Sequence, residues 1–373
     1  MNIDVSATEQ QNYQWKIQSE QINDMKKIIE IYPYAIETLG RALSVVRINA
    51  MFIPTSSAIL IDPLQREFYS LPQNIIKFKL KKDFEHNDNE FVPEYTHQIF
   101  GRNKIIFGYK NLKINFYCLS SSFIFCFNVN YDEKINQEQN QELQTDDISQ
   151  LLINWIPSSI TTTSLDLFLS KIKYENEYLP FGKQLFNYKL KGEESSPYFI
   201  YCINQNYFNN SRFIEWFSGF ETFVKFFINS ESTINNKDFK MIIYLLYQQY
   251  QNNNKQICYT PIGFSTLHLY YAYPDKKRPR ISQILILPPY QRKGHGRHLL
   301  TTIYNDLRKD SCVQDITAED PSDKFIALRD LVSLELCHKY LPDLFSKESI
   351  LKTNRLTKEI INKAQNVCKL TQQ

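Results

Sequence analysis

The sequence predicts an α+β fold: a mixed, mostly antiparallel sheet flanked by helices, preceded by a smaller mixed α/β N-terminal domain. Three observations carry this. Short apolar runs alternate or are β-branched, as at residues 75–80, while runs of helical period lie between them. In the second half two long apolar strands flank a polar turn. They are followed by strand, helix, strand and helix, the order of a compact mixed domain.

The 373 residues leave room for two or three domains, and a 43% apolar share supplies their cores. Basic residues number 43 against 40 acidic, a net charge of +3. That is no polyelectrolyte footprint, so direct nucleic-acid binding is not expected. The 7 cysteines are scattered, with no pair at zinc-finger spacing, and are expected to be buried thiols of the cytosol or nucleus. The chain opens polar and contains no uncharged apolar run that spans a bilayer, so a soluble protein without membrane contact is expected.

Residues 1–45 read as a helical or disordered leader, and 46–190 as the N-terminal domain. Within it a half-buried strand covers 75–80, and two hairpin-paired strands cover 112–117 and 123–129. A polar loop at 135–147 precedes helices at 148–156 and 164–172. His97 has no second metal ligand at a useful spacing and reads as structural. The charged loop 191–196 is the expected boundary of the second domain, 191–340. There an aromatic core helix covers 212–229, and strands at 239–247 and 262–273 flank a tip at Asn252, Asn253 and Asn254. The run Lys276, Lys277, Arg278, Pro279, Arg280 is expected to be a solvated turn between strands, a nuclear-import signal being the alternative. A helix at 325–337 and a short helical tail, 341–373, complete the chain.

The chemistry lies in residues 282–322. Ile284, Leu285, Ile286 and Leu287 form an apolar strand stopped by Pro288 and Pro289. Gly294 and Gly296 then open an amphipathic helix bearing Leu299, Leu300, Ile303 and Leu307. Orphan N–H groups and the dipole at such a helix start favour a phosphate or pyrophosphate, and Arg292, Lys293 and Arg297 add charge. A plain turn is the other reading. Neither the Walker pattern nor the dinucleotide fingerprint fits, because Arg297 and His298 follow Gly296 and Leu299 stands in place of a third glycine. A second short strand ends on Glu319 and Asp320. Adjacent carboxylates oppose each other's ionisation, which suits a general base near neutral pH, whereas a helix cap by Asp320 or Ser322 is the competing reading. His295 and His298 have no third ligand beside them, so no metal is expected, and no Ser-His-Asp or Cys-His arrangement points to a covalent nucleophile.

The stretch Gln291, Arg292, Lys293, Gly294, His295, Gly296 resembles the Gln/Arg-x-x-Gly-x-Gly/Ala signature of the GCN5-related N-acetyltransferase (GNAT) superfamily. Three further stretches resemble the type B histone acetyltransferase catalytic subunits. They are Pro93, Glu94, Tyr95, Thr96, His97, Gln98 with Phe107, Gly108, Tyr109, Lys110; Tyr273, Pro274, Asp275, Lys276 with Arg278, Pro279, Arg280; and residues 315–322 with Leu328, Arg329, Asp330. The similarity runs in the same order from about residue 75 to the C-terminus.

This resemblance implies the GNAT fold and acetyl transfer from acetyl-CoA to lysines in the N-terminal tail of newly synthesised histone H4. It implies a nuclear and cytoplasmic protein that works with a WD-repeat histone-chaperone subunit. By position, Ile284, Leu285 and Ile286 pair with the pantetheine arm, and Gln291, Arg292, Lys293, Gly294, His295, Gly296 and Arg297 cradle the pyrophosphate. Ser322 lies near the cofactor's far side, Glu319 is the general base, and Asp320 supports it. The sequence departs from the family where a further acidic residue precedes the long hairpin. Asn229 stands there, with Glu231 two residues on, and both are expected near the substrate. The family often continues into a longer helical C-terminal region, and the leader has no clear counterpart. Because the net charge is only +3, a basic tail must be recognised by a locally acidic groove, with Glu319, Asp320 and Glu231 as its walls. Two other readings stay open: an N-acetyltransferase for another protein or small amine, and a non-catalytic histone-binding assembly factor.

Overall fold

A computed structural model describes residues 67–82, 90–101, 105–136, 145–162, 164–193, 195–229, 240–346, 349 and 357–371. They fall within one unit, Glu67–Gln373. The leader, the expected domain start up to residue 66, most of the polar loop at 135–147, and Glu231 lie outside the described residues.

The first sheet contains β1 (Ile76–Lys81), β2 (Glu90–Phe91), β3 (Lys113–Leu119) and β4 (Phe125–Asn130), ordered β2-β1-β3-β4. Ile76, Phe78 and Leu80 point into the core while Lys77 and Lys79 face outward, the period-2 pattern of a half-buried strand. The expected hairpin is β3 with β4, and β1 joins β3 in parallel. Helix α1 (Ile148–Trp155) follows, capped by the Asp147 carboxylate, and then α2 (Leu165–Lys171), capped by Ser164.

The second sheet contains β5 (Lys183–Tyr188), β6 (Tyr198–Ile203), β7 (Met241–Gln251), β8 (Ile257–Ala272), β9 (Lys276–Ile286) and β10 (Thr317–Ala318). The order is β10-β9-β8-β7-β6-β5, and only the β9–β10 pairing is parallel. The loop 191–196, the expected domain boundary, joins β5 to β6, which pair with Tyr188 opposite Tyr198. One expectation is corrected here. The basic run at 276–280 is not a turn; it opens β9, and the turn lies at 273–275. The strand tolerates this charge because its side chains alternate. Pro279 and Ile281 are buried, Lys277 reaches Asp310 at 3.2 Å, and Arg278 forks onto Asp315 at 2.6 and 3.1 Å.

Helix α3 (Ser211–Phe227) lies between the two sheets. Phe223, Phe226 and Phe227 pack on Phe78, Phe91 and Phe116 of the first sheet, with ring centroids 4.8–6.4 Å apart. On its other side Phe217 and Phe220 meet Phe264 of β8 at 5.8 and 5.1 Å. Each buried ring is worth about 1.5–3 kcal/mol, so this aromatic layer is the main cohesion between the sheets. The opposite face of the second sheet is covered by α4 (His295–Leu307), where Tyr244 of β7 donates its hydroxyl to Asp306 at 2.9 Å. Helix α5 (Asp323–Tyr340) backs α4, and α6 (Lys358–Cys368) packs on α5.

Candidate active site

Strands β9 and β10 pair only at Arg280–Thr317 and Ile281–Ala318 and then part. The last link is the Glu319 N–H, which donates to the Ile281 carbonyl at 2.9 Å. Beyond it Ile284, Leu285 and Ile286 have β8 on one side and, among the described residues, no strand on the other. Leu287 donates its N–H to Ile262 of the β8 side at 2.8 Å. Strand alternation therefore turns the amides and carbonyls of Ile284 and Ile286 toward the open edge. A bulge that skips Ser282 adds twist where the strands diverge. Gly263 permits the close approach of β8, because a Cβ there would lie 2.5 Å from Ile286 Cδ1 and 2.7 Å from the Leu285 oxygen. The half-open edge can take an extended, amide-bearing chain.

The glycine turn follows at once. Gly294 is the N-cap of α4 at φ +90° and supplies no capping side chain. The first intrahelical bond runs from the His298 N–H to the Gly294 carbonyl at 3.2 Å. The N–H groups of His295, Gly296 and Arg297 therefore have no partner in the helix. Gln291 ties this turn to the strand end, its Nε2 donating to the Ile286 carbonyl at 2.8 Å. Arg292 is exposed at φ +63°. Lys293 pairs with Glu193 at 3.0 Å, and Arg297 with Glu335 at 2.7 Å.

The His295 imidazole turns inward. It is buried, its Nδ1 is 2.7 Å from the Tyr188 hydroxyl, and its ring centroid is 4.5 Å from that of Tyr198. Burial pushes its pKa down to about 4, so the ring is neutral at pH 7. Of His295 only the backbone N–H is presented at the helix start. Tyr198 donates to Glu193, the same carboxylate that holds Lys293. His298 stacks on Tyr188 at 3.8 Å. Tyr188, Glu193 and Tyr198 carry no local signal in the sequence, since the β5–β6 hairpin brings them in from about a hundred residues upstream.

Glu319 and Asp320 follow β10 directly. Asp320 takes a left-handed φ of +36°, so the chain reverses between strand and helix. The cap of α5 is Ser322, whose Oγ accepts the Phe325 N–H at 3.3 Å, and not Asp320. Both carboxylates are exposed, and among the described residues neither has a hydrogen-bond or ion-pair partner. A second segment reaches this corner. Glu94 and Tyr95 donate N–H to the Phe226 carbonyl at 3.0 and 2.8 Å, and Gln98 donates to that of Ile228 at 3.0 Å. Lys324 of α5 pairs with Glu94 at 3.3 Å. Asn229 is exposed just past this grip on α3. His97 is half-buried with its ring against Tyr95 at 6.0 Å. Among the described residues no group of three or more His, Cys, Asp or Glu could hold a metal, and no helix is long and apolar enough to cross a membrane. Open strand edge, uncapped helix start and exposed carboxylates thus share one β9–α4–β10 unit, which can offer backbone amides, orphan helix N–H groups and acidic oxygens.

The family described as histone acetyl transferase HAT1 N-terminus matches residues 70–229, and the acetyltransferase (GNAT) family matches residues 215–328. The histone acetyltransferase type B catalytic subunit of Mus musculus is 35% identical over 295 residues, 79% of this chain and 69% of that protein. Its Homo sapiens counterpart gives the same figures. The Rattus norvegicus protein is 36% identical over 274 residues, 74% of this chain and 64% of its own length. The chain thus spans about two thirds of the length of these relatives. It belongs to the type B histone acetyltransferase catalytic subunit family, with an α+β GNAT acetyltransferase domain behind the family's N-terminal module.

Proposed function

We propose that this chain transfers the acetyl group of acetyl-CoA to lysine side chains in the N-terminal tail of newly synthesised histone H4. It does so in nucleus and cytoplasm with a WD-repeat histone-chaperone subunit as partner. The observation that carries the reading is the parting of β9 and β10 directly after the Glu319–Ile281 bond, beside an uncapped helix start. Acetyl-CoA is an extended amide-bearing arm joined to a pyrophosphate, and the two features match its two parts in order. Ile284 and Ile286 offer their backbone to the arm, while Leu285 fixes the strand by packing into the core. The N–H groups from Gly294 to Arg297 take the pyrophosphate, with charge from Arg292, Lys293 and Arg297 and with Gln291 bracing the turn. Ser322 fixes the start of α5 on the far side of the cleft.

A lysine amine with pKa near 10.4 is neutral in only about one molecule in a few thousand at pH 7. Glu319 therefore takes its proton, directly or through one water. The freed nitrogen attacks the thioester carbonyl, the C–S bond breaks, and CoA leaves as the thiol after protonation. A ternary complex holds amine and thioester in attack geometry, so no covalent enzyme intermediate is needed. The oxyanion is met by the Ile284 or Ile286 N–H, because the Leu287 amide is committed to Ile262. Asp320 supports the base by holding negative potential beside the cationic substrate. Asn229 accepts no proton, so any relay rests on the acid pair, while Asn229 borders the tail.

The test is a transfer assay with acetyl-CoA and histone H4 tail peptides, with the modified lysine mapped. Acetylated tail lysine is the expected product. Faster acetylation of polyamines or protein N-termini than of the tail replaces this reading with the other-amine one. Tight acetyl-CoA binding without any product on the peptide favours the assembly-factor reading.

A further inference from the structure

We infer that the C-terminal residues Lys369 and Leu370 are a positioning element of the catalytic strand, setting the place of Glu319 through Ile316. The inference rests on Glu319 being the general base.

Strand β10 is only two residues long; on the β9 side it is flanked by the Gln314 N–H on the Lys277 carbonyl and the Glu319 N–H on that of Ile281, both at 2.9 Å, which leaves its other edge to be held separately. Ile316, the residue just before it, is held on that edge by residues 369–370. The Ile316 N–H donates to the Lys369 carbonyl at 2.9 Å, and Ile316 pairs in parallel with Leu370. The segment reaches this edge by a built turn. Lys369 sits at φ +57° as the C-cap of α6, which ends the helix at Cys368 and redirects the chain into strand pairing. Helix α6 is itself fixed at both ends. Thr357 caps its start, accepting the Ile360 N–H at 3.3 Å, and at its end Cys368 is buried, as is Cys337 of α5, on which α6 packs.

The acid pair therefore lies between β10 and α5, and both rest on α6 and its tail. Arg278 holds the same stretch from the other side through Asp315. Loss of the tail leaves the Glu319 carboxylate intact but frees the strand that presents it, and proton transfer requires hydrogen-bond reach. The acetyl-CoA features, from Ile284 to Arg297, are built on β8, β9 and α4, so cofactor binding is spared.

Two variants test this: a chain ending after Cys368, and Leu370→Ala in the full chain, with Leu370→Ile as the conservative control. The expected result for the truncation is a kcat about 10-fold lower per acetyl-CoA-binding site, with KM and Kd for acetyl-CoA within about twofold of wild type. Leu370→Ala falls in the same direction by less, and Leu370→Ile retains activity. In a Glu319→Gln background, removing the tail lowers kcat no further, because both changes act on one group. An equal fall in both backgrounds overturns the inference, as does an unchanged kcat or a KM for acetyl-CoA that rises in step. If the truncated chain does not fold, the same criteria applied to Leu370→Ala decide. Full turnover in Glu319→Gln alone removes the base assignment and this inference with it, whereas loss there with no effect of either tail variant overturns only the inference.

Discussion

Gly263→Ala probes the proposed cofactor platform from behind, through a residue that no ligand touches. The new Cβ would sit 2.5 Å from Ile286 Cδ1 and 2.7 Å from the Leu285 carbonyl oxygen. Carbon atoms pack at about 3.5–4.0 Å, so the side-chain contact is short by roughly 1 Å. Ile286 Cδ1 ends a flexible, half-buried side chain and can turn aside, so the cost rests on the backbone contact. The Leu285 oxygen is backbone and moves only if β8 and β9 open. Overpacking of this kind costs about 1–3 kcal/mol, which lowers Tm by about 1.5–5 °C for a unit of about 300 residues. The part of β9 that shifts is the open edge at Ile284 and Ile286. Acetyl-CoA affinity should therefore fall by about 10-fold, roughly 1.4 kcal/mol, with the KM for peptide nearly unchanged. Thermal unfolding and calorimetric titration with acetyl-CoA read both effects. A lowered Tm with wild-type acetyl-CoA affinity refutes the role of this edge, and wild-type values of both refute the contact itself.

Other outcomes follow from the same structure. Lys293→Ala should raise the KM for acetyl-CoA several-fold at low salt, with kcat unchanged and the difference shrinking as salt rises, because a phosphate contact contributes uniform binding. Tyr188→Phe leaves His295 Nδ1 without its partner, beside an Nε2 that already has none, and should cost about 1–3 kcal/mol in a denaturant melt. The His295 pKa, pushed down to about 4, makes a contribution that is complete above about 6.5 and lost as pH falls toward about 4. Burial raises the Glu175 carboxyl to about 7, so its contribution has the opposite sign, complete below about 4.5 and lost as pH rises through about 7. Melts of Glu175→Gln between pH 4 and 8 isolate the histidine slope, and an unchanged slope on adding His295→Asn refutes the burial argument.

Much of the fold was legible wherever one chain segment decides its own state. The aromatic run at 212–229 became α3 because both of its sides are apolar, and the structure gives each side a sheet to bury against. The parts that were not legible depend on partners distant in sequence. A charged loop at 191–196 looks the same whether it joins two domains or two paired strands, and only the Tyr188–Tyr198 register decides. The basic run at 276–280 resembles a turn because its charge masks its alternation, whereas Asp310 and Asp315 neutralise two of its cations from the next connection.

The candidate site divides along the same line. Gly294, Gly296, Glu319 and Asp320 stand out because short motifs carry backbone and proton chemistry. The inward turn of His295 could not be read from its place in the motif, since it depends on Tyr188. Glu193 on Lys293, Glu94 on Lys324, and Lys369 on Ile316 are long-range contacts with no spacing signal at all.

The most direct measurement of the account is the turnover of Glu319→Gln on histone H4 tail peptide at pH 7, with acetyl-CoA affinity measured on the same preparation. General-base catalysis predicts a kcat lower by about 10²–10⁴ with acetyl-CoA binding unchanged. Turnover equal to wild type would contradict it.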